Sequence, residues 1–205
     1  MIHPDDQYYL IFAEDDDDDA VYLMPDEHTA ERKFRIQPLL PGRPLVFKNG
    51  FPESYASGEK EKLTDIMFEG KNVMVTDRVY QLLIQYETIG ADYYPAMYRD
   101  ISGNLHEGYW YVKFLEALNV CDMKRSTYDD EFNDEETGEP ILDTFALDPT
   151  KLAAIPEEHR LIFELGGIQN PCFLVHERLK TKLQAMNVTG VVYFLVRDFK
   201  EGMQM

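Results

Sequence analysis

Two stretches of the chain decide how it folds: VMVTDRVYQLLIQYETIGADYY, residues 73–94, and FLVHERLKTKLQAMNVTGVVYF, residues 173–194. They align without a gap at an offset of 100, matching Val75 with Val175, Asp77 with Glu177, Arg78 with Arg178, Gly90 with Gly190 and Tyr93 with Tyr193. Each copy begins with a short apolar run. An acid follows where the first helical turn would start, complementing the helix dipole. Apolar residues then recur at spacings of three and four, Val79, Leu82, Leu83 and Tyr86 in one copy and Leu179, Leu183 and Met186 in the other. That is one face of a helix. A glycine closes each unit and a second apolar run leaves it. The pattern predicts a strand–helix–strand unit occurring twice.

The rest reads mostly as strands. Residues 7–13 and 20–24 suggest two short strands. Residues 33–48 are broken by Pro38, Pro41, Gly42 and Pro44, which predicts extended or edge segments. Residues 49–62 read as a polar loop. The aromatic density of residues 107–130 suggests sheet, and ILDTFALDPTKL (141–152) and RLIFEL (160–165) read as two more strands. The expected class is α+β, with mostly antiparallel strands and a few packed helices. The expected division is a β-rich, acidic N-terminal lobe over 1–62 and an α+β lobe over 63–205, packed as one unit.

The chain has 205 residues, 44% of them hydrophobic, enough for a real core. No apolar run is long enough to span a bilayer, and the N-terminus lacks the pattern of a secretion signal. Cys121 and Cys172 are too few for a disulfide framework and read as buried, reduced thiols. The expected compartment is the cytoplasm.

The formal net charge is −18. Such a balance opposes binding to nucleic acid or to anionic membranes and favours basic partners. The excess is local: residues 151–205 carry 6 acids and 7 bases, whereas residues 101–150 carry 12 acids and 3 bases. Glu14, Asp15, Asp16, Asp17, Asp18 and Asp19 form one run. Asp129, Asp130, Glu131, Asp134, Glu135, Glu136 and Glu139 form a second. Packed like charges cost the fold a little stability, so the runs are expected to be partner-binding, steering a basic protein by long-range attraction. Tyr109, Trp110 and Tyr128 are candidate anchors between the charges, with Trp110 better placed in the sheet core.

No catalytic motif is found. His106 and His176 are each followed by Glu, but the fourth positions hold Trp110 and Lys180 and not the second histidine of a zinc helix. Asp129, Glu131 and Asn133 begin like a calcium loop, yet the sixth position is Asp134 and the twelfth Pro140. Phosphate, dinucleotide and nucleophile-elbow motifs are absent. No cofactor, metal or catalytic residue is expected. Two other readings remain: a metal-dependent hydrolase built on the clustered carboxylates, and a general acidic adaptor or nucleic-acid mimic.

Residues 110–128 contain Asn119, Val120, Asp122, Ser126 and Tyr128. With LDPTK (147–151) and the closing FLVHERLK…GVVYF, they resemble a bacterial immunity-protein family of polymorphic-toxin and type VI secretion systems, often called immunity family eleven. The resemblance covers about residues 63–196. Its motifs are apolar framework and name no catalytic residue. Thr76 and His176 stand where the family often has Ser. The resemblance implies a non-enzymatic, cytoplasmic protein that neutralises a cognate toxin in a one-to-one complex. The charge adds the expectation of a basic toxin such as a nuclease.

Overall fold

A computed structural model describes residues 2–14, 21–35, 42–51, 61–128 and 139–204. Both echoed stretches are strand–helix–strand units. The first is β5 (Asn72–Thr76), α2 (Asp77–Leu83) and β6 (Ala91–Arg99). The second is β11 (Phe173–His176), α4 (Glu177–Ala185) and β12 (Val191–Leu195). Gly90 and Gly190 follow the helices with φ of +69° and +89°, a conformation that side chains with a Cβ resist.

The helix starts differ in an informative way. His176 caps α4, its Nδ1 accepting from the Arg178 N–H at 3.2 Å. Thr76 makes no cap; its hydroxyl donates to Asp65 Oδ1 at 2.9 Å.

The remaining strands are β1 (Tyr8–Ala13), β2 (Leu23–Pro25), β3 (Leu45–Asn49), β4 (Ile66–Glu69), β7 (Leu105–Phe114), β8 (Thr127–Tyr128), β9 (Leu142–Thr144) and β10 (Ile162–Glu164). They form a four-stranded sheet ordered β10-β11-β1-β12, a six-stranded sheet ordered β2-β3-β6-β7-β5-β4, and the pair β8-β9. Every pairing is antiparallel except β3 with β6. The class is α+β, as the alternation of the sequence predicts.

The duplication goes further than the echo. In one sheet β7 lies between β5 and β6; in the other β1 lies between β11 and β12. The registers coincide. Val75 faces Trp110 and Val175 faces Tyr9. Tyr93 faces Val112 and Tyr193 faces Ile11. Ile66 faces Val75 and Ile162 faces Val175. The outgoing loops match as well: the Leu115 N–H donates to Gly90 O and the Glu14 N–H to Gly190 O. The chain thus contains one four-stranded unit twice, the second permuted so that its central strand comes from the N-terminus.

The two units share a core. Val79, Leu82 and Leu83 of α2 and Leu179 and Leu183 of α4 pack in one cluster with Ile11, Ile66, Val75, Val112, Ile162 and Val175. The loop after each helix clasps the other unit: the Ile66 N–H donates to Thr189 O at 3.2 Å, and the Ile89 N–H to His159 O at 3.1 Å. A second cluster packs on the six-stranded sheet with Leu23, Phe34, Phe47, Met74, Tyr98 and Tyr111.

Residues 1–62 supply β1 to the four-stranded sheet and β2 and β3 to the six-stranded one. Residues 27–31 form the short helix α1, capped by Asp26, whose Oδ1 accepts from the Thr29 N–H at 2.8 Å. Only the first part of 141–152 is a strand. Pro149–Ala153 is the helix α3, because the Asp148 carboxylate caps the N–H groups of Thr150 and Lys151 and Pro149 opens the first turn. Among the described residues, no helix is long and apolar enough to cross a membrane.

The tightest polar joint between the units is Asp65. Its carboxylate accepts from Arg78, from the Thr76 hydroxyl, and from the N–H and hydroxyl of Thr189, the last two at 3.0 Å. Burial pushes its pKa up, but the donors led by Arg78 outweigh this and hold the carboxyl at about 2, against 3.8 ordinarily. The depressed value corresponds to roughly 2 kcal/mol of stability, present above pH 3.8 and lost as the pH falls through about 2. Asp65→Asn is expected to lower unfolding free energy at pH 7 by roughly 3 kcal/mol in urea titrations. It should also flatten the decline of stability between pH 4 and 2; an unchanged acid limb contradicts the assignment.

Candidate functional site

The structure places only the edges of the expected contact surface. Glu14 follows β1, and its Oε2 accepts from the Gly190 N–H at 3.3 Å, so part of its side chain serves the frame. Glu139 is exposed, and its carbonyl accepts from Gln169 Nε2 at 2.7 Å. Asp15–Asp19 and Asp129–Glu136 lie outside the described residues.

The stems of both runs are described, and they share a root. The second run leaves from Tyr128 in β8 and returns to β9. Asn170 grips Leu142 through both backbone groups, at 2.7 and 3.2 Å, and the Glu201 N–H donates to Asp143 O at 2.7 Å. Phe145, just past β9, packs on Phe199 with ring centroids 5.5 Å apart. Phe12, two residues before Glu14, stacks on the same ring at 5.3 Å. Phe199 thus packs against both Phe12, near the end of β1, and Phe145, just past β9.

Beside that root is a cleft of about 590 Å³ lined by His3, Asp5, Arg125, Thr144, Phe145, Ala146 and Arg197. It opens next to the N-terminal 3-10 turn, Pro4–Asp6. In the sister unit a continuous hairpin joins β6 to β7, whereas β12 and β1 are far apart in the chain. Asp5 is buried. Its Oδ1 accepts from the Leu147 N–H at 2.7 Å and its Oδ2 pairs with Arg125. Arg125 Nη1 also lies 2.9 Å from His3 Nε2. Arg197 pairs with the more exposed Asp6. The cleft is an ion-pair knot that fastens residues 3–6 to the stem of the second run.

No protein-family model matches this chain, and no curated protein matches it in sequence.

The candidate anchors separate by environment. Tyr109 faces the core of the six-stranded sheet. Trp110 stacks on Tyr80 with centroids 3.8 Å apart, and its indole N–H donates to Asp77 Oδ1 at 3.0 Å. Both are engaged within the fold, whereas Tyr128 is 46% exposed. Cys121 and Cys172 are buried, and burial pushes both thiols up, away from the nucleophilic thiolate. Among the described residues, no group of three or more His, Cys, Asp or Glu side chains is placed to hold a metal ion.

Reasoning from the sequence missed the meeting of His3, Asp5, Arg125 and Arg197, which depends on closure between the two chain ends. The available signal was YYLIFA (8–13) beside YWYVKF (109–114), an echo that runs backward past the N-terminus. Arg125→Met leaves Asp5 buried without its cation and is expected to cost roughly 3 kcal/mol in urea unfolding. Arg197→Met, at the more exposed pair, is expected to cost less than about 1 kcal/mol. Equal losses contradict this ranking.

Proposed function

We propose that this chain is an immunity protein: it binds and neutralises a cognate secreted bacterial toxin, a basic one such as a nuclease, as a one-to-one complex in the cytoplasm. The observation that carries the reading is the concentration of thirteen carboxylates, residues 14–19 and 129–139, in two runs of a chain with net charge −18. Phe12, two residues before the first run, and Phe145, six residues after the second, both pack on Phe199. The resemblance of residues 63–196 to immunity family eleven supplies the biological role. Such a surface raises the encounter rate with a cationic partner and excludes anionic ones. Inhibition then follows from occupancy, with the partner's cationic active-site region covered or distorted by the bound inhibitor.

The test is the association rate with the product of the reading frame adjacent to this chain's gene. Replacing Asp15–Asp19, or the seven acids between Asp129 and Glu139, by lysine is expected to slow association by at least about tenfold at 50 mM salt. Raising the salt should shrink the difference between the parent and the variants. Rates equal to the parent at low salt would remove the runs from the interface.

A further inference from the structure

A buried histidine stands at the start of α4. His176 ends β11, is 4% exposed, and caps the helix by accepting the Arg178 N–H at Nδ1. That nitrogen is free to accept only while it carries no proton. Protonation puts an N–H on Nδ1, so two donors face each other at the positive end of the helix dipole.

The ring is held where it is. Tyr8 meets it edge to face, with ring centroids 4.9 Å apart. Tyr8 is itself fully buried, and its hydroxyl accepts from Arg160. The backbone is fixed on both sides of the cap: the His176 N–H donates to Leu161 O and the Glu177 N–H to Gln7 O, each at 2.8 Å.

The surroundings disfavour a proton. Burial pushes the His176 pKa below its ordinary 6.5. Glu157, on the turn Glu157–His159, and Glu177, on α4, push it up, while Arg160 and Arg178 push it down. The other charged groups of that turn are engaged elsewhere: Glu158 with Arg178, and His159 with Glu87 of the first unit. The net direction is down. Stability tied to the neutral ring is therefore complete above pH 6.5 and is lost as the pH falls from there through the folded value. This window lies well above the one set by Asp65, which opens only below pH 3.8.

The first turn of α4 gathers neighbours from across the second unit. Glu177 reaches β1 through Gln7, and Arg178 pairs with both Glu157 and Glu158. The sister helix has no such dependence. Thr76 makes no cap at α2 and carries no group that titrates near neutral pH.

We propose that His176 is an acid-sensitive latch: neutral, it caps α4 and closes the second unit on β1; protonated, it releases the first turn of the helix. The latch belongs to the frame and is independent of what the chain binds.

The experiment is native-state hydrogen exchange at pH 7 and pH 5, corrected for intrinsic rates, on the full chain and on His176→Ser and His176→Ala. Serine caps without titrating, and alanine does neither. In the parent, the opening constant of the first turn of α4 is expected to rise about fivefold at pH 5, the worth of one cap, with α2 unchanged. His176→Ser should protect the turn equally at both pH values, and His176→Ala should leave it open at both. A nitrogen-15 NMR titration of the parent should place the imidazole midpoint below 6.5. An α4 whose protection does not respond to pH, a response that persists in His176→Ser, or a midpoint at or above 6.5 each overturns the latch. Should His176→Ser fail to fold, the parent's α4-to-α2 contrast and its titration decide alone.

Discussion

A single carboxylate holds the two halves of this fold in register. Asp65 sits just before β4 of one unit and takes hydrogen bonds from Thr189 of the other, 124 positions away. Arg78, which neutralises it, also donates to the backbone carbonyls of Met186 and Asn187, at 2.8 and 3.2 Å. One ion pair thus satisfies polar groups from two loops that would otherwise be buried against each other. The shared cluster beneath it, with residues from both helices, supplies the nonspecific attraction. Asp65 supplies the alignment, since apolar surfaces alone tolerate sliding and a fully bonded carboxylate does not.

The permuted repeat places the candidate interface. Because β1 completes the second unit, the chain must leave its far end at Glu14 and travel back to β2 in the other sheet. In sequence, the first acidic run falls between these two strands. The second run interrupts β8 and β9, whose stem is pinned to the chain ends by Arg125, Asn170 and Glu201. In sequence, both acidic runs fall between described strands and not within them.

The strand–helix–strand units were legible because their signals are local: a dipole-complementing acid, a 3-4 apolar spacing and a closing glycine. The match of β1 to β7 was legible only to a comparison that wraps around the chain ends. Helix α3 was misread although DPTKL carries a cap and an N1 proline, because the apolar run before it reads as strand. The acidic runs were plain from composition. The exposed contact of Tyr22 with Phe51 was not, since aromatics make up 13% of the chain and no local pattern marks these two. Tyr22 and Phe51 meet only through the antiparallel pairing of β2 with β3, which no local pattern announces.

Survival tests the proposed neutralisation of a toxic partner most directly. The product of the reading frame adjacent to this chain's gene would be expressed in a bacterial host with and without the chain, and surviving colonies counted. Growth restored by the chain, with the two proteins co-eluting one to one on a sizing column, is the predicted result. A toxic domain that kills equally in the presence of well-expressed, folded chain would contradict it.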